Sequence, residues 1–528
     1  MKHIHARRLF ATTALVAAVT TGLALVHVPA AQARPAAAQA AGAIGWTPCP
    51  EDASAECGTL QVPATWSQPG GPMIDMAVAR RPATDPAARI GSLIVNPGGP
   101  DVSGVNMALW SHFGDDIRRR FDIVGFDPRG VARSTPIMCS ISILNRLTSV
   151  VDQASFDRMQ AATRDLAADC RARSGPHFDH LDTLEVVRDI DALREAVGDP
   201  KLSFFGMSYG TLMAQQYAQV FPTRVRAIVA DSNMDHSQDK VGFAATQAAA
   251  GQDTFDEFVA GCGRVPECAL YGRDIRQFWQ RLLDRARRHE LPSPDDPSYF
   301  ITEADLVGFV LRWLTAQPLW LEVAAELVRV DEGGSATGRA AAAPRIAADE
   351  PPTVVPFAYQ AILCADWNIA PTDYPSYRAI EAYAQRFSPD LPRVPRAMVG
   401  AICLGWPPAN NPQRRIVATN EAKVLLVNSR HDAATGYPWA TRVAAQFGSR
   451  AVLVTYEGWG HIVYGRDQCA DGIIERYLVS LEVPVPGTTC PAVPPPGTAA
   501  TALDAGGSAL APALAPLGAA PEWPTWRH

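Results

Sequence analysis

Gly206-Met207-Ser208-Tyr209-Gly210 is a G-x-S-x-G pattern with a serine at its centre. An apolar run, Leu202–Phe205, leads into it, and a helix-forming run, Thr211–Val220, leaves it. A plain Gly-rich turn can match the five residues by chance; strand before and helix after are what a nucleophile elbow requires. Such a turn is sharp, so small residues must flank the serine. Its hydroxyl then projects above a sheet edge at a helix N-terminus, where the positive dipole end favours a developing anion. The chemistry is acyl transfer, with Ser208 as the attacking group.

A serine hydroxyl is a poor nucleophile until a neighbouring base takes its proton. Among eleven histidines, His461 stands in Tyr456-Glu457-Gly458-Trp459-Gly460-His461, a Gly-rich segment after the last clear strand, Ala451–Thr455. His3, His5 and His27 belong to the N-terminal segment, and His528 to the tail. His112, His177, His180, His236 and His289 sit in unpatterned polar surroundings. The acid that orients the base is expected after the preceding strand. Val424–Val427 leads through Asn428-Ser429-Arg430-His431 to Asp432, with His431 a neighbour of the acid rather than a second base. Asp432 would accept the Nδ1 proton, fix the tautomer and stabilise the imidazolium. Asp231, ending the run Ala227–Ala230, is the competing acid. The order Ser208, Asp432, His461 is the one this type of sheet enzyme uses. Upstream, Ser92–Val95 runs into Asn96-Pro97-Gly98-Gly99-Pro100. Adjacent glycines there can turn a backbone N–H toward a reacting carbonyl oxygen. Gly99, or alternatively Gly98, would form the oxyanion hole with the Tyr209 N–H.

The elements that must position these groups are legible as short apolar runs: Ser92–Val95, Ile123–Phe126, Leu202–Phe205, Ala227–Ala230, Val424–Val427 and Ala451–Thr455. Continuous apolar character marks strands buried on both faces. Helical spacing lies between some of them. Leu184, Val187, Ile190, Leu193 and Val197 make one such face, with Thr183 as N-cap and Gly198 as stop. Strands alternating with helices predict an α/β fold of the α/β-hydrolase type: a mainly parallel sheet flanked by helices. The alternation breaks after Asp235. Residues 237–410 carry helical stretches (Phe255–Cys262, Ile275–Arg288, Ala304–Ala316) and an Ala/Gly-rich connector at 332–348, and strands resume at Lys423. This predicts a large helical cap inserted between two strands. The chain divides into a signal segment (1–33), a flexible lead (34–46), the first part of the core (47–236), the cap (237–410), the C-terminal part of the core (411–490) and a Pro/Ala-rich tail (491–528).

The 528 residues, 47% of them hydrophobic, can bury a large core. The net charge of −7 and the lack of a Lys/Arg stripe exclude a nucleic-acid partner. Lys2, Arg7 and Arg8, the apolar run Leu9–Val26 and Ala31-Gln32-Ala33 read as a secretory signal peptide; a retained membrane anchor is the alternative. Its removal takes away three positive charges and no acids, which leaves −10. No second long apolar run follows, so no membrane association is expected after processing. Ten cysteines, Cys49 to Cys490, are even in number in an exported chain, which favours disulfides between sequence neighbours. They lack the compact Cys/His spacing of a zinc site, and no G-x-G-x-x-G pattern is present, so no metal, nucleotide or flavin cofactor is implied.

In order along the chain, Cys57-Gly58-Thr59-Leu60-Gln61-Val62-Pro63, Asn96–Pro100, Phe121–Gly130, the serine elbow and the Asp432 and His461 loops resemble the secreted tripeptidyl aminopeptidases, relatives of proline iminopeptidase within the α/β-hydrolases. The resemblance spans residues from about 47 to 490. It implies removal of short peptides, often tripeptides, from free N-termini, a helical cap, and a C-terminal segment that completes the hydrolase core. The chain departs from the family where two further glycines usually extend the oxyanion loop: Asp101-Val102 stand there. Ala132 replaces another usual glycine.

An aminopeptidase also needs a carboxylate to pair with the substrate ammonium. Asp366 in Cys364-Ala365-Asp366-Trp367 is the candidate, with Glu303 and Asp305 as further options. The expected partners are therefore peptide substrates. An ester hydrolase with the same three catalytic residues is the alternative, since Leu311, Trp313, Leu319 and Trp320 offer apolar surface in the insertion.

Overall fold

A computed structural model describes residues 42–494 except 111, 295, 317–318 and 334–352. The predicted signal segment, most of the lead, most of the 332–348 connector and nearly all of the tail lie outside the described residues.

Among the described residues there are twelve strands: β1 (Thr47–Pro48), β2 (Glu56–Pro63), β3 (Met73–Arg81), β4 (Gly91–Asn96), β5 (Phe121–Phe126), β6 (Met138–Ser140), β7 (Leu202–Met207), β8 (Val225–Asp231), β9 (Val354–Pro356), β10 (Val424–His431), β11 (Ala451–Trp459) and β12 (Thr489–Cys490). Ten form one sheet in the order β1-β2-β3-β5-β4-β7-β8-β10-β11-β12. From β5 to β12 neighbours run parallel. The β1-β2-β3 end is antiparallel. All six apolar runs read as strands are strands of this sheet.

Those runs are apolar without alternation because each strand serves two cores at once. Ile94, Val124, Phe204, Ile228, Val424 and Leu426 pack on one face. Leu93, Val95, Ile123, Phe205, Val229, Leu425 and Val427 pack on the other. Successive side chains point to opposite faces, so a fully covered sheet needs apolar residues at every position. The helices Thr183–Ala196 and Gly210–Val220 cover the first face. The helix Gln468–Ser480 covers the second. The helix over 183–196 is capped one residue earlier than predicted. Asp182 is the N-cap and accepts from the Leu184 N–H at 3.0 Å, because the Thr183 hydroxyl donates to the buried Asp366 instead.

Between β8 and β10 the chain is mainly helical, including Lys240–Cys262, Ile275–Arg287, Glu303–Ala316 and Trp320–Glu332. These helices share their own core around Phe255, Phe258, Trp279 and Leu314. The short strand β9 in this stretch has no counterpart in the sequence reading; it pairs with β6 in a two-stranded ribbon. Five disulfides join Cys49–Cys57, Cys139–Cys170, Cys262–Cys268, Cys364–Cys403 and Cys469–Cys490, which is the neighbour-to-neighbour pairing expected. Among the described residues no helix is long and apolar enough to cross a membrane.

Strand register sets the site. Met207 pairs with Asp231, and Asp231 with Val427. The carboxyl ends of β7, β8 and β10 therefore lie level, and the segments that leave them meet at one rim of the sheet.

Candidate active site

Ser208 follows β7 directly and holds φ at 53°, a left-handed conformation that costs a non-glycine residue energy. Its surroundings hold it there. The Ser208 N–H donates to the Asp231 carbonyl at 2.9 Å, and its own carbonyl accepts from the Thr211 N–H and hydroxyl at 2.9 and 2.6 Å. The flanking glycines are required by close approach. A Cβ on Gly206 would lie 2.4 Å from the Gly210 carbonyl oxygen, and one on Gly210 would lie 2.8 Å from that of Asn96. The helix Gly210–Val220 begins immediately after this turn.

The loop after β4 packs against this elbow. A Cβ on Gly98 would fall 2.5 Å from the Met207 carbonyl oxygen and 2.6 Å from the Tyr209 nitrogen. Gly98 and Gly99 hold φ at 87° and 110°. The Gly98 N–H donates to Asn96 Oδ1 at 2.9 Å, so it is committed inside the loop and the alternative role given to Gly98 is set aside. The Gly99 and Tyr209 N–H groups have no acceptor among the described residues. That leaves both able to meet an oxyanion.

Asp432 and His461 are brought together. His461 Nδ1 lies 2.9 Å from Asp432 Oδ2 and 3.2 Å from Oδ1. Asp432 is 1% exposed and also accepts from the Ala434 N–H, the Thr435 N–H and the Thr435 hydroxyl. Burial pushes the Asp432 carboxyl up, but the His461 charge and the hydrogen bonds outweigh it and hold the group below the ordinary range. The carboxylate is thus kept ionised and fixed on the imidazole. His461 itself is half-buried, and its backbone N–H donates to the Thr315 carbonyl at 2.7 Å, which ties the loop to the last turn of the helix Glu303–Ala316.

Asp231, the competing acid, has a different position. Its carboxylate accepts from the backbone N–H groups of Val463 and Tyr464, not from the imidazole. His431 points away as well: its Nδ1 is 2.9 Å from Asp253 Oδ2, and its ring stacks on Trp459 at 5.9 Å.

The three acids offered for a substrate ammonium need correction. Asp366 is fully buried and receives four hydrogen bonds, from the Thr183 N–H and hydroxyl, the Tyr209 hydroxyl and the Asn411 amide. Its role is internal, because no oxygen is left to face a ligand. Glu303 pairs with Arg287. Asp305 accepts from the Tyr299 hydroxyl and from Thr302 at its own helix start. Asp101 differs from these. It is exposed and has no partner among the described residues, on the loop where the Val102 N–H closes a turn onto the Gly98 carbonyl at 3.2 Å.

Several supporting residues had no distinctive sequence signal. Arg466 donates to the His461 carbonyl at 2.7 Å, and the Ser232 hydroxyl accepts from the Ile462 N–H at 2.9 Å. Only Thr435, three residues after Asp432, carried a readable pattern: a hydroxyl that can turn back on the acid.

Residues 91–466 match the family model described as the alpha/beta hydrolase fold. The chain is 30% identical to serine protease Hip1 of Mycobacterium tuberculosis, over 92% of this chain and 98% of that protein. It is 32% identical to carboxylesterase B of the same organism, over 89% of this chain and 95% of that protein. It is 28% identical to the tripeptidyl aminopeptidase of Streptomyces lividans, over 86% of this chain and 88% of that protein. A matching family model over most of the chain, a parallel sheet with a serine elbow after a central strand, and an acid and a histidine after later strands lead to one assignment: the chain belongs to the α/β-hydrolase family.

Proposed function

We propose that this protein is an exported serine exo-aminopeptidase that releases short peptides, tripeptides among them, from free N-termini through a Ser208 acyl-enzyme. The observation that carries the catalytic part is the 2.9 Å contact between His461 Nδ1 and buried Asp432, at the same sheet rim as the strained Ser208 elbow. In this reading His461 Nε2 takes the Ser208 proton as Oγ attacks the scissile carbonyl. The Gly99 and Tyr209 N–H groups receive the oxyanion. Collapse breaks the C–N bond, and His461 gives its proton to the leaving amine. Water, deprotonated by His461, then hydrolyses the ester and regenerates Ser208. Likeness to the Streptomyces tripeptidyl aminopeptidase supports the peptide specificity. Five disulfides support export.

Ester hydrolysis is the second reading. It is favoured by likeness to carboxylesterase B and by the burial of Asp366, which removes the expected ammonium partner. One experiment separates them: fluorophosphonate labelling of the secreted protein, with Ser208→Ala as control, followed by a panel of tripeptidyl amides, N-blocked tripeptidyl amides and short esters. Labelling at Ser208 with preference for free-amine amides is expected. Cleavage of esters alone would move the assignment to an esterase, and absence of labelling would remove the serine mechanism.

A further inference from the structure

Asp231 touches both halves of the candidate machinery. Its main-chain carbonyl accepts the Ser208 N–H at 2.9 Å. Its side chain accepts from the Val463 N–H at 2.9 and 3.0 Å, from the Tyr464 N–H at 2.9 Å and from the Ser232 hydroxyl at 3.2 Å. Ser232, the next residue, holds φ at 67°, donates its N–H to the Val427 carbonyl and accepts from the Ile462 N–H. Three consecutive N–H groups immediately after His461 are thus fastened to the end of β8. The same strand end fastens the backbone of the serine. Asp231 is 0% exposed.

Resting on the serine-hydrolase reading above, we propose that Asp231 is a positioning residue: it sets the place of His461 relative to Ser208 and adds a second negative charge beneath the imidazolium. Burial is the larger effect and sets its carboxyl above the ordinary range, while three donors (the Val463 N–H, which bridges both oxygens, the Tyr464 N–H and the Ser232 hydroxyl) and the nearby His461 charge favour the ionised form. The other charged groups around it are His461 and Arg466 on the loop, Asp432, which acts on the same Arg466, and Asp471 on the helix Gln468–Ser480. Asp432 holds the ring by direct contact. Asp231 acts through the backbone that carries the ring, and through its field. Two jobs therefore fall on two carboxylates after adjacent strands.

A purely structural acid would change stability and leave catalysis per folded molecule alone, so the test reads the pH profile and the split between kcat and KM. Wild type, Asp231→Asn and Ser232→Ala are compared on a substrate from the panel above, with thermal melting as the check on folding. In Asp231→Asn, kcat is expected to fall by about 10- to 100-fold with KM held within about twofold, as for a small misplacement of a catalytic group. The acid limb of kcat/KM should move to lower pH, because one charge favouring the imidazolium is gone. In Ser232→Ala, kcat should fall several-fold with the limb unmoved, since no charge is lost. If Asp231→Asn does not fold, the Ser232→Ala result decides alone. An Asp231→Asn enzyme with unchanged kcat and pH profile, or an unaltered kcat in Ser232→Ala where only that variant folds, would overturn the proposal while leaving the serine mechanism standing. A wild type that neither labels nor turns over would overturn both.

Discussion

The Tyr209 hydroxyl donates a 2.7 Å hydrogen bond to Asp366 Oδ2. One residue thus places its backbone N–H beside Ser208 and its phenol on a carboxylate of the inserted region. Asp366 in turn receives the Thr183 N–H at the start of a core helix, and its carbonyl lies 2.7 Å from His236 Nε2. The acid joins the insertion to the elbow from beneath rather than facing substrate.

Asp366→Asn should therefore destabilise the fold without discriminating between substrates. An amide in that position turns an N–H group toward donors, and each unsatisfied buried group costs about 1–3 kcal/mol. Urea unfolding should show the loss. Activity per folded molecule should change equally for free-amine and N-blocked tripeptidyl amides. A selective loss on free amines would return Asp366 to substrate binding.

Asp432→Asn should leave the fold in place and lower kcat by about 10⁴-fold with a small change in KM, because the wrong histidine tautomer faces Ser208. Steady-state kinetics with active-site titration measures it. The same residue adds an acid dependence. Its carboxyl is held below the ordinary range, so its stabilising effect is complete above the unfolded carboxyl value of 3.8 and is lost as pH falls through the lower folded value.

Asp101→Asn tests the unpartnered carboxylate on the oxyanion loop. It has no internal partner, so stability should hold within about 0.5 kcal/mol. An exposed charge pairs weakly, at about 0.2–1 kcal/mol, so preference for substrates with a free ammonium over N-blocked ones should fall at most about fivefold. Ratios of kcat/KM for matched pairs supply the check. Equal ratios in variant and wild type would exclude an ammonium contact.

His236 predicts a pH dependence of opposite origin to that of Asp432. Burial, only partly offset by its bond to the Asp366 carbonyl, takes it from the ordinary histidine value of 6.5 to about 4. The unfolded chain therefore binds a proton that the fold refuses between those values. Stability from this group is complete above 6.5, falls as pH drops toward about 4, and then levels, a loss of a few kcal/mol. Urea midpoints measured from neutral pH down to about 4.5 should fall less steeply in His236→Gln than in wild type.

Much of this protein was legible in the chain. Six core strands announced themselves because a sheet covered on both faces demands apolar residues at consecutive positions. Ser208 was marked by two glycines that steric crowding requires, and Asp432 and His461 by loops after later strands. These are local signals, set by neighbours within a few residues. The antiparallel strand β3 escaped because apolar Met73 and Ala77 stand at its less buried positions and hide the alternation of buried Ile74, Met76 and Val78.

What the chain could not express was which polar groups would meet. Asp231 ends β8 and Asp432 follows β10 directly; chain order favoured Asp432 for the imidazole, but no neighbouring residue told that Asp231 would grip the backbone beside it. Strand register decided: Met207, Asp231 and Val427 lie level, which put the Asp231 side chain under the loop and left Asp432 the ring. Asp366 read as an acid facing substrate, but packing closed around it, and its partners come from residues 183, 209 and 411. A hydrogen bond across such separations depends on how helices and strands stack, and that is a property of the folded chain alone.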